Sequence, residues 1–300
     1  MISREKLMQL YAAMVKSRMI AERTAELARQ GKLPDNWGFG IGSEATLAGV
    51  TADLRPDDTV SALGNRLLRS LIDGIVLESV LGPVSTPLNG SRRSPSGQSE
   101  TLLTGRNGHS APAPLTRSSN IDLSAATQAA RTHKTKNDGR IALAYFMNPV
   151  ASAVPGKQLQ FASRHNLPIV LLCHFGSVER HESFLSPSAK VKDASEALAF
   201  GVARIAVDAR DVLAVYRVAS ESISRARQRR GPTLIECVDH GLPAPLGSPV
   251  AERRPSVIAD PLRGMESHLG KKRLLTAALK QQIETQFCRE IDAATAHLMN

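Results

Sequence analysis

Few residues in this sequence sit in patterns that carry chemistry. The three thiols, Cys173, Cys237 and Cys288, are far apart and odd in number, so they make neither a disulfide framework nor a metal-ligand spacing. Two of them lie inside apolar runs, which reads as buried, reduced thiols. His174 stands alone at the end of an apolar run. It could bind a metal, but a lone histidine there reads first as a hydrogen-bonded structural residue. Asn137-Asp138-Gly139 sets an acid beside a glycine, yet it precedes an apolar run, which makes it the turn between a helix and a strand. Ser43 and Ser186 are not in nucleophile-elbow settings, and Gly-x-Ser-x-Gly is absent. No Gly-x-x-x-x-Gly-Lys phosphate loop exists.

Charge gives little more. The 38 basic residues exceed the 28 acidic ones, for a net +10, which permits an acidic partner without proving one. Arg225, Arg227, Arg229 and Arg230 end a helical stripe, with Glu221 four residues before Arg225. Cations complement the carbonyl end of a helix, so a solvated helix end is expected here rather than a nucleic-acid patch. Lys271-Lys272-Arg273, ahead of the last helix, reads the same way. Arg92-Arg93 lies in a loop that an acidic partner could reach.

These residues need a scaffold, and the composition allows one. Three hundred residues with 42% hydrophobic and 22% charged side chains can bury a sizeable core in one large α/β domain or two small ones. Aromatics at 4% argue against a carbohydrate-binding or base-stacking surface. No apolar run approaches the ~20 residues of a membrane span. The N-terminal stretch lacks a secretory pattern, so the cytoplasm is the expected compartment.

Leu7, Leu10, Tyr11 and Met14 make a helical stripe, capped by Ser3 and closed by Gly31 and Pro34. A second helix is expected over 44–52, a short strand over 60–63 and a third helix over 66–80. Residues 82–114 are crowded with Ser, Pro, Gly and Arg and read as a long surface loop, either partner-facing or merely solvated. After it, helices are expected at 122–135, 157–165 and 194–200, with a stripe from Val212 to Ala226. Strands are expected at 141–147, 167–175, 204–207 and 233–238. Unbroken apolar strands alternating with helices predict a parallel sheet covered on both faces. Leu279, Ile283, Phe287 and Ile291, at steps of four, predict a long last helix within a helical tail at 260–300.

Four stretches carry a resemblance. They are the helix from Leu7 to Gly31; Ile41-Gly42-Ser43-Glu44-Ala45 with Leu54-Arg55-Pro56-Asp57-Asp58; Phe161-Ala162 through Val170; and Asp211 through Gly231-Pro232-Thr233 to Cys237. Together they resemble the alpha subunit of the thiamine-diphosphate-dependent 2-oxo acid dehydrogenases, the first component of the pyruvate, branched-chain and acetoin complexes. The resemblance covers nearly the whole chain and implies a single domain over 1–300. The fold it implies is α/β: the thiamine-diphosphate-binding fold, mainly parallel, with long N- and C-terminal helices.

In that family thiamine diphosphate is held through Mg²⁺, whose protein ligands come from a Gly-Asp-Gly turn and a downstream Asn. A diphosphate carries about three negative charges, which a hard cation with oxygen ligands must neutralise before burial. Counting back from Leu167-Pro168 puts Met147 at the metal aspartate and Asn148 at a glycine. Phe175 and Gly176 fall where the amide ligand is expected. A thioether is a poor ligand for Mg²⁺. The substrate side also departs from the family: Arg66 and Arg69 fall near a Tyr-Arg and His pattern, His109 is displaced by two residues, and 241–246 has lost an Arg and a Gly-His-Ser.

The expectation is therefore a divergent alpha-like chain with an eroded cofactor site and no catalytic, cofactor-binding or metal residues. It would be non-catalytic and act through association, as a homodimer or with a beta-like subunit, with no cofactor, membrane or nucleic-acid partner. The competing expectation is an active enzyme that uses thiamine diphosphate and Mg²⁺ to decarboxylate a 2-oxo acid and pass the acyl group to lipoamide.

Overall fold

The computed structural model describes residues 2–32, 41–63, 123–147, 156–175, 201–238 and 260–299. Helix α1 (Arg4–Arg29) starts where Ser3 Oγ accepts the Lys6 amide at 3.2 Å. Its stripe of Leu7, Leu10, Tyr11 and Met14 is buried. It stops at Gly31, whose φ of 69° lets the Lys32 amide turn back to the Leu27 carbonyl at 2.9 Å. Helix α2 (Glu44–Thr51) follows, then β1 (Thr59–Leu63). The remaining elements are α3 (Ser124–Lys136), β2 (Ala142–Met147), α4 (Gly156–Arg164), β3 (Ile169–Phe175) and β4 (Ala203–Asp208). Then come α5 (Val212–Arg227), β5 (Thr233–Val238), α6 (Pro261–Lys271) and α7 (Ala277–Met299). The helices expected at 66–80 and 194–200, and the loop at 82–114, lie outside the described residues.

The strands form one parallel sheet in the order β1-β2-β3-β5-β4. Every residue of β3 and β5 is buried, as unbroken apolar strands require when both faces are covered. On one face α1, α2 and α5 supply Ile20, Leu27, Leu47, Val215, Ala219 and Ile223. On the other, α3 and α4 supply Ala126, Ala130, Leu159 and Ala162. Helix α6 lays Met265 and Leu269 on the α1 stripe, and α7 adds Ile283 and Phe287 at the margin. None of the described helices is long and apolar enough to cross a membrane.

Helices α2 and α5 meet at Gly49. A Cβ there would stand 2.7 Å from Val215 Cγ1 and 3.0 Å from the Tyr216 backbone nitrogen. Gly49→Ala is therefore expected to destabilise the fold by about 1–3 kcal/mol, despite alanine's better helix propensity. A thermal melt reads this as a drop of several degrees, and an unchanged midpoint would mean that the helices separate freely.

Two buried ionic networks tie the layers together. Arg18 Nε donates to Glu44 at 2.6 Å, while Nη1 and Nη2 fork onto Asp260 at 3.2 and 2.9 Å. Asp260 also caps α6 through the Leu262 amide at 2.9 Å. Burial works against its charge, but the Arg18 hydrogen bonds outweigh it and hold the carboxyl below its usual range. The second network corrects the expectation of a solvated end to α5. Arg227 folds inward and donates to both oxygens of buried Asp58, at 3.0 and 2.6 Å. Asp58 also accepts the Arg55 and Ile141 amides at 2.8 and 3.0 Å. A carboxylate already desolvated by the sheet draws the nearest guanidinium in. Arg229 and Arg230 do stay exposed.

Candidate functional site

A parallel sheet presents ligands outside the carboxyl ends of its strands, where successive crossovers change face. Here α4, leading out of β2, lies on one face, and α5, leading out of β4, lies on the other. The change falls around β3 and β5. The register sets Met147 beside His174 and His174 beside Cys237. One residue back, Phe146, Cys173 and Glu236 line up.

Alternation sends these residues to different faces. Tyr145 and Cys237 belong to the core under α1, α2 and α5, whereas Phe146, Cys173, Phe175 and Val238 belong to the core under α3 and α4. The Tyr145 hydroxyl and His174 Nδ1 are hydrogen-bonded at 3.2 Å, with the tautomer setting which of them donates. His174 is only 3% exposed, and burial pulls its pKa down to about 4. It is a neutral imidazole at physiological pH, matching the structural role expected from sequence.

The two buried thiols are held in their neutral form. Burial pushes the Cys237 thiol up to about 12, against an opposing hydrogen bond with Thr46, and pushes Cys173 up as well. Cys288, unlike the other two, is exposed, and its thiol donates to Asp292 at 3.4 Å. Glu236 is fully buried and is held by Arg204 at 2.7 Å, a structural ion pair across β5 and β4. Asp138 lies at the opposite end of the sheet, as its turn placement predicted. Burial works against its charge, but hydrogen bonds from Arg140 outweigh it and lower its pKa to about 2.

The strand ends can be compared with what Mg²⁺ demands, which is oxygen ligands in near-octahedral array. Phe175, at an expected amide position, is fully buried and offers no lone pair. His174 commits Nδ1 to the Tyr145 hydroxyl. The described ends of β2 and β3 hold no carboxylate or amide side chain. These residues do not fit the metal. Among the described residues, no group of three His, Cys, Asp or Glu could hold one. Met147 is the last residue of β2. Asn148 and Gly176 lie outside the described residues, as do Arg66, Arg69, His109, Ser186 and 241–246.

The family model described as the dehydrogenase E1 component matches residues 11–240, which span the whole sheet and both of its helical layers. The chain belongs to this family. Relatives of this E1-family chain include the alpha subunit of acetoin:2,6-dichlorophenolindophenol oxidoreductase from Bacillus subtilis (strain 168). That protein is 26% identical over 247 residues, covering 80% of this chain and 71% of the relative. Pyruvate dehydrogenase E1 component subunit alpha-3, chloroplastic, from Oryza sativa subsp. japonica is 25% identical over 305 residues, covering 98% and 72%. The pyruvate dehydrogenase E1 component subunit alpha of Porphyra purpurea is 26% identical over 282 residues, covering 89% and 81%. Sequence reasoning locates the strand ends of this E1 fold but misses the Tyr145–His174 contact. Tyr145 is hidden within an apolar run, and only the register brings it to the histidine.

Proposed function

We propose that this E1-family chain is an alpha-like subunit that retains the scaffold but not the thiamine diphosphate and Mg²⁺ site, and that it works by association rather than catalysis. The observation that carries this reading is Phe175, fully buried where an amide ligand is expected, beside His174 bonded to Tyr145. Apolar packing and a hydrogen-bonded neutral pair make a poor seat for a diphosphate and its cation. The association is with a second copy or a beta-like subunit, in the cytoplasm.

The second reading is an active 2-oxo acid dehydrogenase paired with a beta subunit. It is favoured by relatives whose names describe pyruvate dehydrogenase and acetoin oxidoreductase alpha subunits. Calorimetric titration of the full chain with thiamine diphosphate and Mg²⁺, with and without a co-purified partner, separates the two. The expected result is no metal-dependent saturable heat. A saturable isotherm abolished by chelator would establish the second reading instead. Light scattering after size exclusion tests the association, and a strict monomer that captures no partner would sink that half.

A further inference from the structure

We infer that the amino-terminal pole of the sheet, opposite the strand ends discussed above, is a docking surface for an acidic polypeptide segment of a partner. The inference does not depend on the state of the cofactor site. Helices α3, α4 and α5 all end at this pole, because each leads into a parallel strand. Their closing turns form one surface. Lys134 Nζ donates to the His165 carbonyl, Arg229 donates to Asn137 Oδ1, and Arg227 donates to the Gly139 carbonyl at 3.1 Å.

Among the described residues, the surface is cationic and unneutralised. Arg131, Lys136, Arg164 and Arg230 are exposed. None of them is paired with a carboxylate among the described residues. The buried acids nearby are already engaged, Asp58 by Arg227 and Asp138 by Arg140. Exposed Arg55 and Asp57 on the adjoining turn offset each other. Each end carries the one or two cations that helix-end complementarity explains, but packing the three ends side by side sums them into a single positive field. Arg229 follows α5 in a left-handed conformation, as Arg273 follows α6, and adds an exposed guanidinium that reaches across to Asn137.

Two features favour a polypeptide over a nucleic acid. Phe161, one turn before the end of α4, is 38% exposed and lies against His165, the ring centroids 4.3 Å apart and the planes tilted by 49°. That is an apolar contact an aliphatic side chain can use. Moreover, the three helices present their carbonyl ends here. A dense row of phosphates brings only acceptors and prefers helix amino ends. A polypeptide brings backbone N–H donors along with its carboxylates.

The test is fluorescence anisotropy of the full chain with labelled poly-L-glutamate and, separately, labelled duplex DNA. The pole variant carries Arg131→Glu, Arg164→Glu and Arg230→Glu. The control variant makes the same charge change elsewhere, with Lys271→Glu, Lys272→Glu and Arg289→Glu. The expected result is salt-sensitive binding of poly-L-glutamate that the pole variant weakens about tenfold or more and the control less than about twofold. Thermal melts of both variants are expected to stay cooperative and to fall by a similar few degrees, since all six side chains are exposed and most sit at helix carbonyl ends. Equal weakening by both variants would reduce the effect to net charge and overturn the inference. So would an absence of saturable binding, or tighter binding of the DNA.

Discussion

Asp58→Ala is expected to lower the free energy of unfolding by about 3–5 kcal/mol, the range for removing one partner of a buried ion pair. The carboxylate is 2% exposed and accepts four hydrogen bonds, from the Arg55 and Ile141 amides and both Arg227 Nη atoms. Alanine would leave two backbone amides without an acceptor and the Arg227 guanidinium without its counter-charge, with only the Gly139 and Asp53 carbonyls to accept from it. Asp58→Asn keeps an acceptor but not the charge, so it should fall between the two. Arg227→Leu combined with Asp58→Ala should recover part of the loss, because an apolar pair strands no charge. Urea denaturation checks this through the midpoint at constant m-value. A single-variant loss below about 1 kcal/mol would show that water reaches the pair.

The second large effect is a loss of stability on mild acidification. In the native state burial holds His174 at about 4, while an unfolded histidine titrates near 6.5. As pH falls below about 6.5 the unfolded chain takes up a proton that the native protein refuses until about 4. The sign is unambiguous: the stabilisation is complete at neutral pH and is lost progressively between those values. Its size is on the order of 3 kcal/mol, since each tenfold difference in proton affinity between the two states is worth about 1.4 kcal/mol. Asp138 contributes a separate loss nearer its own pKa of about 2, below the histidine window. His174→Gln keeps a hydrogen-bonding group for Tyr145 but cannot titrate. Urea midpoints across that interval should therefore slope steeply for the parent and less for the variant. Parallel slopes would show that the imidazole is hydrated in solution.

Local patterns are readable before any contact is known. The α1 stripe, its Ser3 cap and its Gly31 stop each depend on neighbours a few residues away, and all three hold. The strands at 141–147 and 233–238 are readable because burial on both faces makes them runs of mostly apolar residues, with only Thr233 and Glu236 breaking the second. Contacts that join distant segments are not readable. Tyr145 and His174 are 29 residues apart, and Asp58 and Arg227 are 169 apart. Such pairs exist only once strand register and helix docking are fixed, and no local spacing encodes either. The basic end of α5 shows the limit most clearly. Four arginines look alike in the sequence, yet Arg227 alone reaches Asp58, because α5 docks with that side toward the 55–58 turn. The break in the helical tail, by contrast, is readable locally, since the last helix is expected after Lys271-Lys272-Arg273 and does begin at Ala277. The segment at 260–300 divides into α6 and α7, with Arg273 in a left-handed conformation between them.

The position of β5 bears on how the chain is made. It is last in sequence of the five described strands but sits between β3 and β4. During synthesis β3 and β4 both emerge before the strand that joins them, so the ribosome releases a chain whose sheet has a gap in the middle. Until Thr233–Val238 arrives, the hydrogen-bonding groups of two strand edges have no native partner, the circumstance in which neighbouring nascent chains pair wrongly. Closure must also bridge long separations, which slows it. A chain interrupted anywhere before Thr233 would therefore aggregate rather than persist as a smaller folded domain.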